Sequence, residues 1–188
     1  MRHPFQSIPA DKRPKVFWPL LVITLFLTVL LNLEGKPMVT QAAPLGIVSY
    51  ELAGSVSRAQ KILASWDQQA QLSAAFSLGL DYVFMLAYSA AIGLACIWTA
   101  DALRRRGWPL ASLGAPLAWG LWLAAAFDAM ENIALVVILF GTVQAPWPEV
   151  ARWCAIFKFS LIFLGLVYAF FGLVASVVVG ARGRNSIP

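Results

Sequence analysis

The chain has 188 residues, 60% of them hydrophobic and 12% charged, with a formal net charge of +5 and a mean hydropathy of +0.74. Soluble domains hold roughly 45–50% apolar residues, so this composition excludes an ordinary soluble globule and points to a protein of the lipid bilayer. The positive balance is not a nucleic-acid signature, because the basic residues sit on short flanks between apolar runs rather than on one folded face.

A span needs about 20 mostly apolar residues, and hydrocarbon cannot satisfy open backbone groups, so the spans must be helices. Four segments qualify, at about 17–33, 78–100, 115–140 and 154–179, with a long outer loop at 34–77. The expected fold is therefore all-α, an integral membrane four-helix bundle forming a single domain over 1–188. The basic residues orient it. Nine of them (Arg2, Lys12, Arg13, Lys15, Arg104, Arg105, Arg106, Arg182 and Arg184) fall on the side of the N-terminus, against Lys36, Arg58, Lys61 and Arg152 on the other. Both termini are thus expected on the cytoplasmic side of a cytoplasmic membrane.

The first span, "VFWPLLVITLFLTVLLNLEG", follows the positive stretch "DKRPK" and precedes a weak small-residue site in "TQAA". A cleaved signal peptide is the alternative, but the apolar run is long and Glu34 and Lys36 interrupt the approach, which favours a retained helix. Thr24, Thr28 and Asn32 repeat every four residues along one face. They either turn toward other helices or bond back to their own backbone.

The long loop is not disordered in character. "PLGIVSYELAG" is apolar and stops at Gly54, and "SVSRAQKILASW" begins at Ser55, a good N-cap. Val56, Ala59, Ile62, Leu63 and Trp66 recur at helical spacing, opposite Arg58 and Lys61. A short amphipathic helical segment is expected here, lying on the interface or folded over the bundle mouth. The second span can extend back into "QQAQLSAAF". A tight inner turn, "RRRGWPLASLG", and a short outer one, "GTVQAPWPEVARW", complete the connections, with tryptophans at interface level.

The chemistry concentrates inside the spans. "FDAMENIAL" places Asp128, Glu131 and Asn132 on one helical face in an otherwise apolar run. Asp81 and Tyr88 share a face of the second span, and Lys158 lies in the fourth. At about 1.5 Å per residue, Asp81 and Lys158 lie roughly 5 Å below the outer ends, and Glu131 and Tyr88 roughly 15 Å. One polar cavity opening outward beneath the loop is expected. Three acids against one lysine cannot all be paired, so either one carboxyl keeps its proton or a cation, water or ligand completes the site. Asp128 and Glu131 are the candidate catalytic groups, one serving as proton donor or acceptor. Asp81, Tyr88, Asn132, Lys158 and Glu51 are the candidate ligand-binding groups, and Glu51 with Tyr50 would close the mouth. The bland reading keeps Asp128 or Glu131 with Lys158 as a clamp between helices.

His3 is the sole histidine and is assigned to the cytoplasmic tail, which argues against haem, di-iron, zinc and Ser/His/Asp chemistry. No Walker or Rossmann glycine pattern exists. Cys96 and Cys154 fall near opposite ends of their spans, too far apart to pair. No residue set names a cofactor or a dedicated metal ligand group, and an oxygen-ligand cation stays open. The expected partners are membrane lipid and a small amphiphilic or cationic ligand, with a homo-oligomer or larger membrane complex open. An assembly subunit and a small proton- or sodium-coupled transporter are the competing functions.

Overall fold

A computed structural model describes the backbone of residues 3–184 and the side chains of 3–174. The molecule is 81% helical, with no strand among the described residues. The long helices are α1 (Arg13–Glu34), α4 (Gln68–Arg104), α5 (Gly114–Phe140) and α6 (Trp147–Arg184), with two short helices, α2 (Ile47–Glu51) and α3 (Val56–Ala64), in the connection between α1 and α4. Among the described residues four helices are long and apolar enough to cross a membrane, as in a multi-pass membrane protein.

The helices run beyond the apolar stretches that mark them in the sequence. α4 starts at Gln68, where Asp67 caps it by accepting the Ala70 N–H at 2.8 Å, and α6 starts at Trp147. Both therefore gain about two to three turns at their N-terminal ends. Two site residues thus stand well inside their helices rather than near the ends. At about 1.5 Å per residue Asp81 lies roughly 20 Å along α4 and Lys158 roughly 16 Å along α6, level with the acids of α5.

α4, α5 and α6 pack against one another, while α1 packs against α4 and makes no extended contact with α5 or α6. Small residues permit the close approach. A Cβ on Gly114 would strike Ala100, and one on Gly172 would strike the Thr99 side chain. α1 buries only Arg13 and Leu27, and Val22 and Phe26 stand more than 60% exposed, as a lipid-facing helix requires. Its Thr24, Thr28 and Asn32 donate to the carbonyls of Leu20, Thr28's neighbour Thr24, and Thr28 in turn, so the stripe bonds to its own helix rather than to a neighbour.

The connection between α1 and α4 has a core of its own. Met38, Tyr50, Ile62 and Trp66 are buried together with Ala70 and Ala74 of α4 and Leu135 and Ile138 of α5. The Trp66 Nε1–H donates to the Met38 carbonyl at 2.9 Å, and its ring meets Tyr50 edge-on. Ala59 and Ile62 of α3 face inward while Arg58 and Lys61 are exposed. The segment is therefore folded onto the helix ends instead of lying free at an interface.

At the opposite end the N-terminal residues also dock, which composition alone did not suggest. Pro4–Ser7 form a 3-10 turn capped by His3, whose Nδ1 accepts the Phe5 N–H at 3.2 Å. His3 is buried against Trp119, with centroids 5.0 Å apart, and Phe5 fills the space beside Gly93. Arg13 then pairs with Asp101 of α4 and also donates to the Ile8 carbonyl. The tail is thus a packed element, not a solvated one.

Candidate functional site

The α5 triplet forms the floor of the site. Asp128, Glu131 and Asn132 project from consecutive turns of one face and are 2%, 0% and 2% exposed. Lys158 of α6 reaches across to them. Its ammonium donates to Asp128 Oδ1 at 2.7 Å and to Glu131 Oε1 at 3.0 Å, with Glu131 Oε2 also 3.0 Å away. It lies over the Phe159 ring, 4.9 Å from the centroid.

α4 supplies the opposing wall. The Tyr88 hydroxyl donates to Asp128 Oδ2 at 2.8 Å, so both oxygens of that carboxylate are held. Asn132 donates its amide N–H to Asp81 Oδ2 at 2.7 Å. The helix–helix register thus brings Asp81, Asp128 and Glu131 into one cluster, bridged by one cation, one hydroxyl and one amide.

α2 adds a fourth acid. Its five residues sit between two glycines of positive φ, Gly46 at 57° and Gly54 at 65°, a conformation that a residue with a Cβ adopts only at a cost. The two turns aim Glu51 inward, where Oε2 lies 3.8 Å from the Lys158 ammonium. That separation is an ion pair but too long for a hydrogen bond. Burial pushes the Glu51 carboxyl above its usual range, against the opposing pull of Lys158. Tyr50, its neighbour, does not reach the site. Its hydroxyl donates to the Leu135 carbonyl at 3.1 Å within the core of the connection, which corrects the expectation that it closes the mouth.

These groups border a cavity of about 180 Å³. Glu51, Asp81, Tyr88, Asp128, Asn132 and Lys158 line it, with apolar walls from Leu31, Ile47, Phe84, Phe159 and Ile162. Glu131 is set behind Lys158 and is not part of the wall. Ser77 also lines the cavity, and nothing in the sequence marks it as a site residue. It precedes Asp81 by one turn of α4, and a serine among alanines looks like packing glue.

The charges do not balance. Glu51, Asp81, Asp128 and Glu131 face one lysine, so full ionisation would leave the cluster at 1 − 4 = −3. Two buried oxygens in the residues that line the cavity, Glu51 Oε2 and Ser77 Oγ, also have no hydrogen-bond partner. Buried acceptors of this kind are normally satisfied. Elsewhere, Cys96 and Cys154 are separate buried thiols. No group of three or more His, Cys, Asp or Glu is arranged as a metal site among the described residues.

No family model, curated protein or solved structure matches the chain. The functional reading therefore stands on the geometry of this cluster.

Proposed function

We propose that this multi-pass membrane protein binds the headgroup of a small cationic amphiphile in the acidic cavity between α4, α5 and α6. The observation that carries the reading is the surplus of buried carboxyls over ammonium, together with acceptors left without donors beside an empty volume. A clamp between α5 and α6 needs only Lys158 and Asp128. It gives no reason to sink Glu51, Asp81 and Glu131 into the same place, where each unpaired charge would cost several kcal/mol.

Size limits the ligand. Drug-sized pockets occupy roughly 300–1,000 Å³, so 180 Å³ suits a compact headgroup rather than a ring system. The remainder of the molecule has a way out. α1 packs mainly on α4, and Leu31 of α1 and Phe159 and Ile162 of α6 border the cavity where those two helices make no extended contact. A hydrocarbon chain would leave there into lipid.

In this reading the four long helices form a bundle with both termini cytoplasmic, and the cavity lies in the outer half beneath the 34–77 connection. Asp81 and Glu51 would hold the bound group ionically, while Tyr88, Asn132 and Lys158 keep the surrounding acids in place. Any proton exchange with the ligand would fall to Asp128, which lines the cavity, while Glu131, behind Lys158, would act only through that lysine.

The test is thermal unfolding in dodecyl maltoside micelles doped with a small mole fraction of charged amphiphile. Dodecyltrimethylammonium should raise Tm saturably and dodecyl sulfate should not. The combined variant Asp81→Asn/Glu51→Gln should lose the effect. Equal responses to both signs of headgroup would end the proposal.

A further inference from the structure

Resting on that binding site, the orphaned acceptors narrow the headgroup further. Ser77 is 4% exposed, lines the cavity, and its Oγ has no hydrogen-bond partner. Glu51 Oε2 lies in the same wall, buried and equally without a donor, since Lys158 stops 3.8 Å short of it. Asp81 completes that side, one turn from Ser77 on α4. The three come from two elements and face one volume. None of the donors in the cluster serves the two orphans: Lys158 is spent on Asp128 and Glu131, Tyr88 on Asp128 and Asn132 on Asp81.

A quaternary ammonium would bring charge but no N–H, leaving both orphans as they are. Such heads are usually recognised by aromatic faces. Here the Phe159 face is already covered by the Lys158 ammonium. A neutral alcohol would bring one donor and no charge to offset the excess of carboxylate. A primary ammonium brings three N–H donors and one positive charge in a compact group.

We infer that the cavity is selective for a primary ammonium headgroup on a single aliphatic chain, its N–H groups donating to Ser77 Oγ, Glu51 Oε2 and Asp81, and its chain passing between α1 and α6. The ligand class is an alkylamine or an amine-headed lipid, and the bound ammonium lies beside Lys158 across the shared acids. Charge-assisted hydrogen bonds to carboxylate are about twice as strong as neutral ones. A site already furnished with acceptors therefore favours the head that can fill all three.

The experiment is a competition on the wild-type protein. Native mass spectrometry from dodecyl maltoside would be recorded with equimolar dodecylammonium and dodecyltrimethylammonium, and again with dodecylammonium and dodecanol. The expected result is single occupancy with dodecylammonium favoured at least tenfold in each pair. Ser77→Ala, a change small enough to leave the helix packing intact, should cut its advantage over the trimethyl compound at least threefold. Equal occupancy by the two cations, both well above dodecanol, would overturn the primary-amine inference and leave the acidic binding site standing. Occupancy by dodecanol as high as by either cation would overturn both. An unchanged preference in Ser77→Ala would remove Ser77 from the recognition and with it the inference.

Discussion

Lys158 and Asp128 form the shortest link between α6 and α5 inside the acid cluster, at 2.7 Å, and both are at least 94% buried as side chains. Removing one member of such a pair leaves the other charged and dry, at a cost of about 3–5 kcal/mol. Lys158→Met should therefore strongly destabilise the protein in chemical unfolding from mixed micelles. Adding Asp128→Asn and Glu131→Gln should recover most of the loss. A triple variant no more stable than Lys158→Met would show that the lysine contributes packing rather than charge.

Tyr88 has a narrower role. Its hydroxyl is the second donor to Asp128, after Lys158. Hydrogen bonds to charged groups contribute about 1.5–3 kcal/mol. Tyr88→Phe should lower stability by that order while keeping the ring contact with Phe84, and Asp128→Asn in the same background should cost less than it does alone. Strict additivity of the two changes would argue against the bond.

Glu51 sets a pH dependence. Its carboxyl is raised above 4.5 in the folded state, mainly by burial. The folded state therefore holds a proton that the unfolded chain releases as pH rises, so this residue's contribution is greatest below pH 4.5 and declines above it. Glu51→Gln should match the wild type in Tm near pH 4 and gain on it progressively toward pH 7. A difference that stays constant over that range would contradict the assignment.

His3 works in the opposite sense. Burial lowers its imidazole below 6.5, and Nδ1 must stay unprotonated to accept the Phe5 N–H. Its contribution is present above pH 6.5 and is lost on acidification. The N-terminal turn should release from Trp119 as pH falls from 7 to 5, read as a change in tryptophan emission that His3→Phe abolishes. An identical response in the variant would place the transition elsewhere.

Parts of this arrangement could be read from the residues alone, and the reasons for the rest are physical. The spacing of Asp128, Glu131 and Asn132 puts them on one face whatever the tertiary structure, and Lys158 is the one basic residue inside a span rather than on a flank. The full helix lengths are not legible, because helices do not stop where apolarity stops. "QQAQLSAAF" and "WPEVARW" are polar or proline-bearing, yet both are helical to within a residue or two of their caps. The neighbours Tyr50 and Glu51 could not be told apart, since their directions depend on two positive-φ glycines flanking a five-residue helix. The docked tail left no periodic signal at all. Phe5 is recognisable as a packing residue only once Gly93 is known to leave a gap for it.

Everything functional depends on acids from α2, α4 and α5 meeting in one cavity that takes up positive charge. The most direct measurement is the stoichiometry of cationic amphiphile binding by native mass spectrometry, comparing the wild type with Asp81→Asn/Glu51→Gln. One dodecylammonium per chain on the wild type, with occupancy falling at least tenfold in the variant and no equivalent uptake of dodecyl sulfate, is the predicted result. Multiple weak adducts equally present on both proteins would contradict the account.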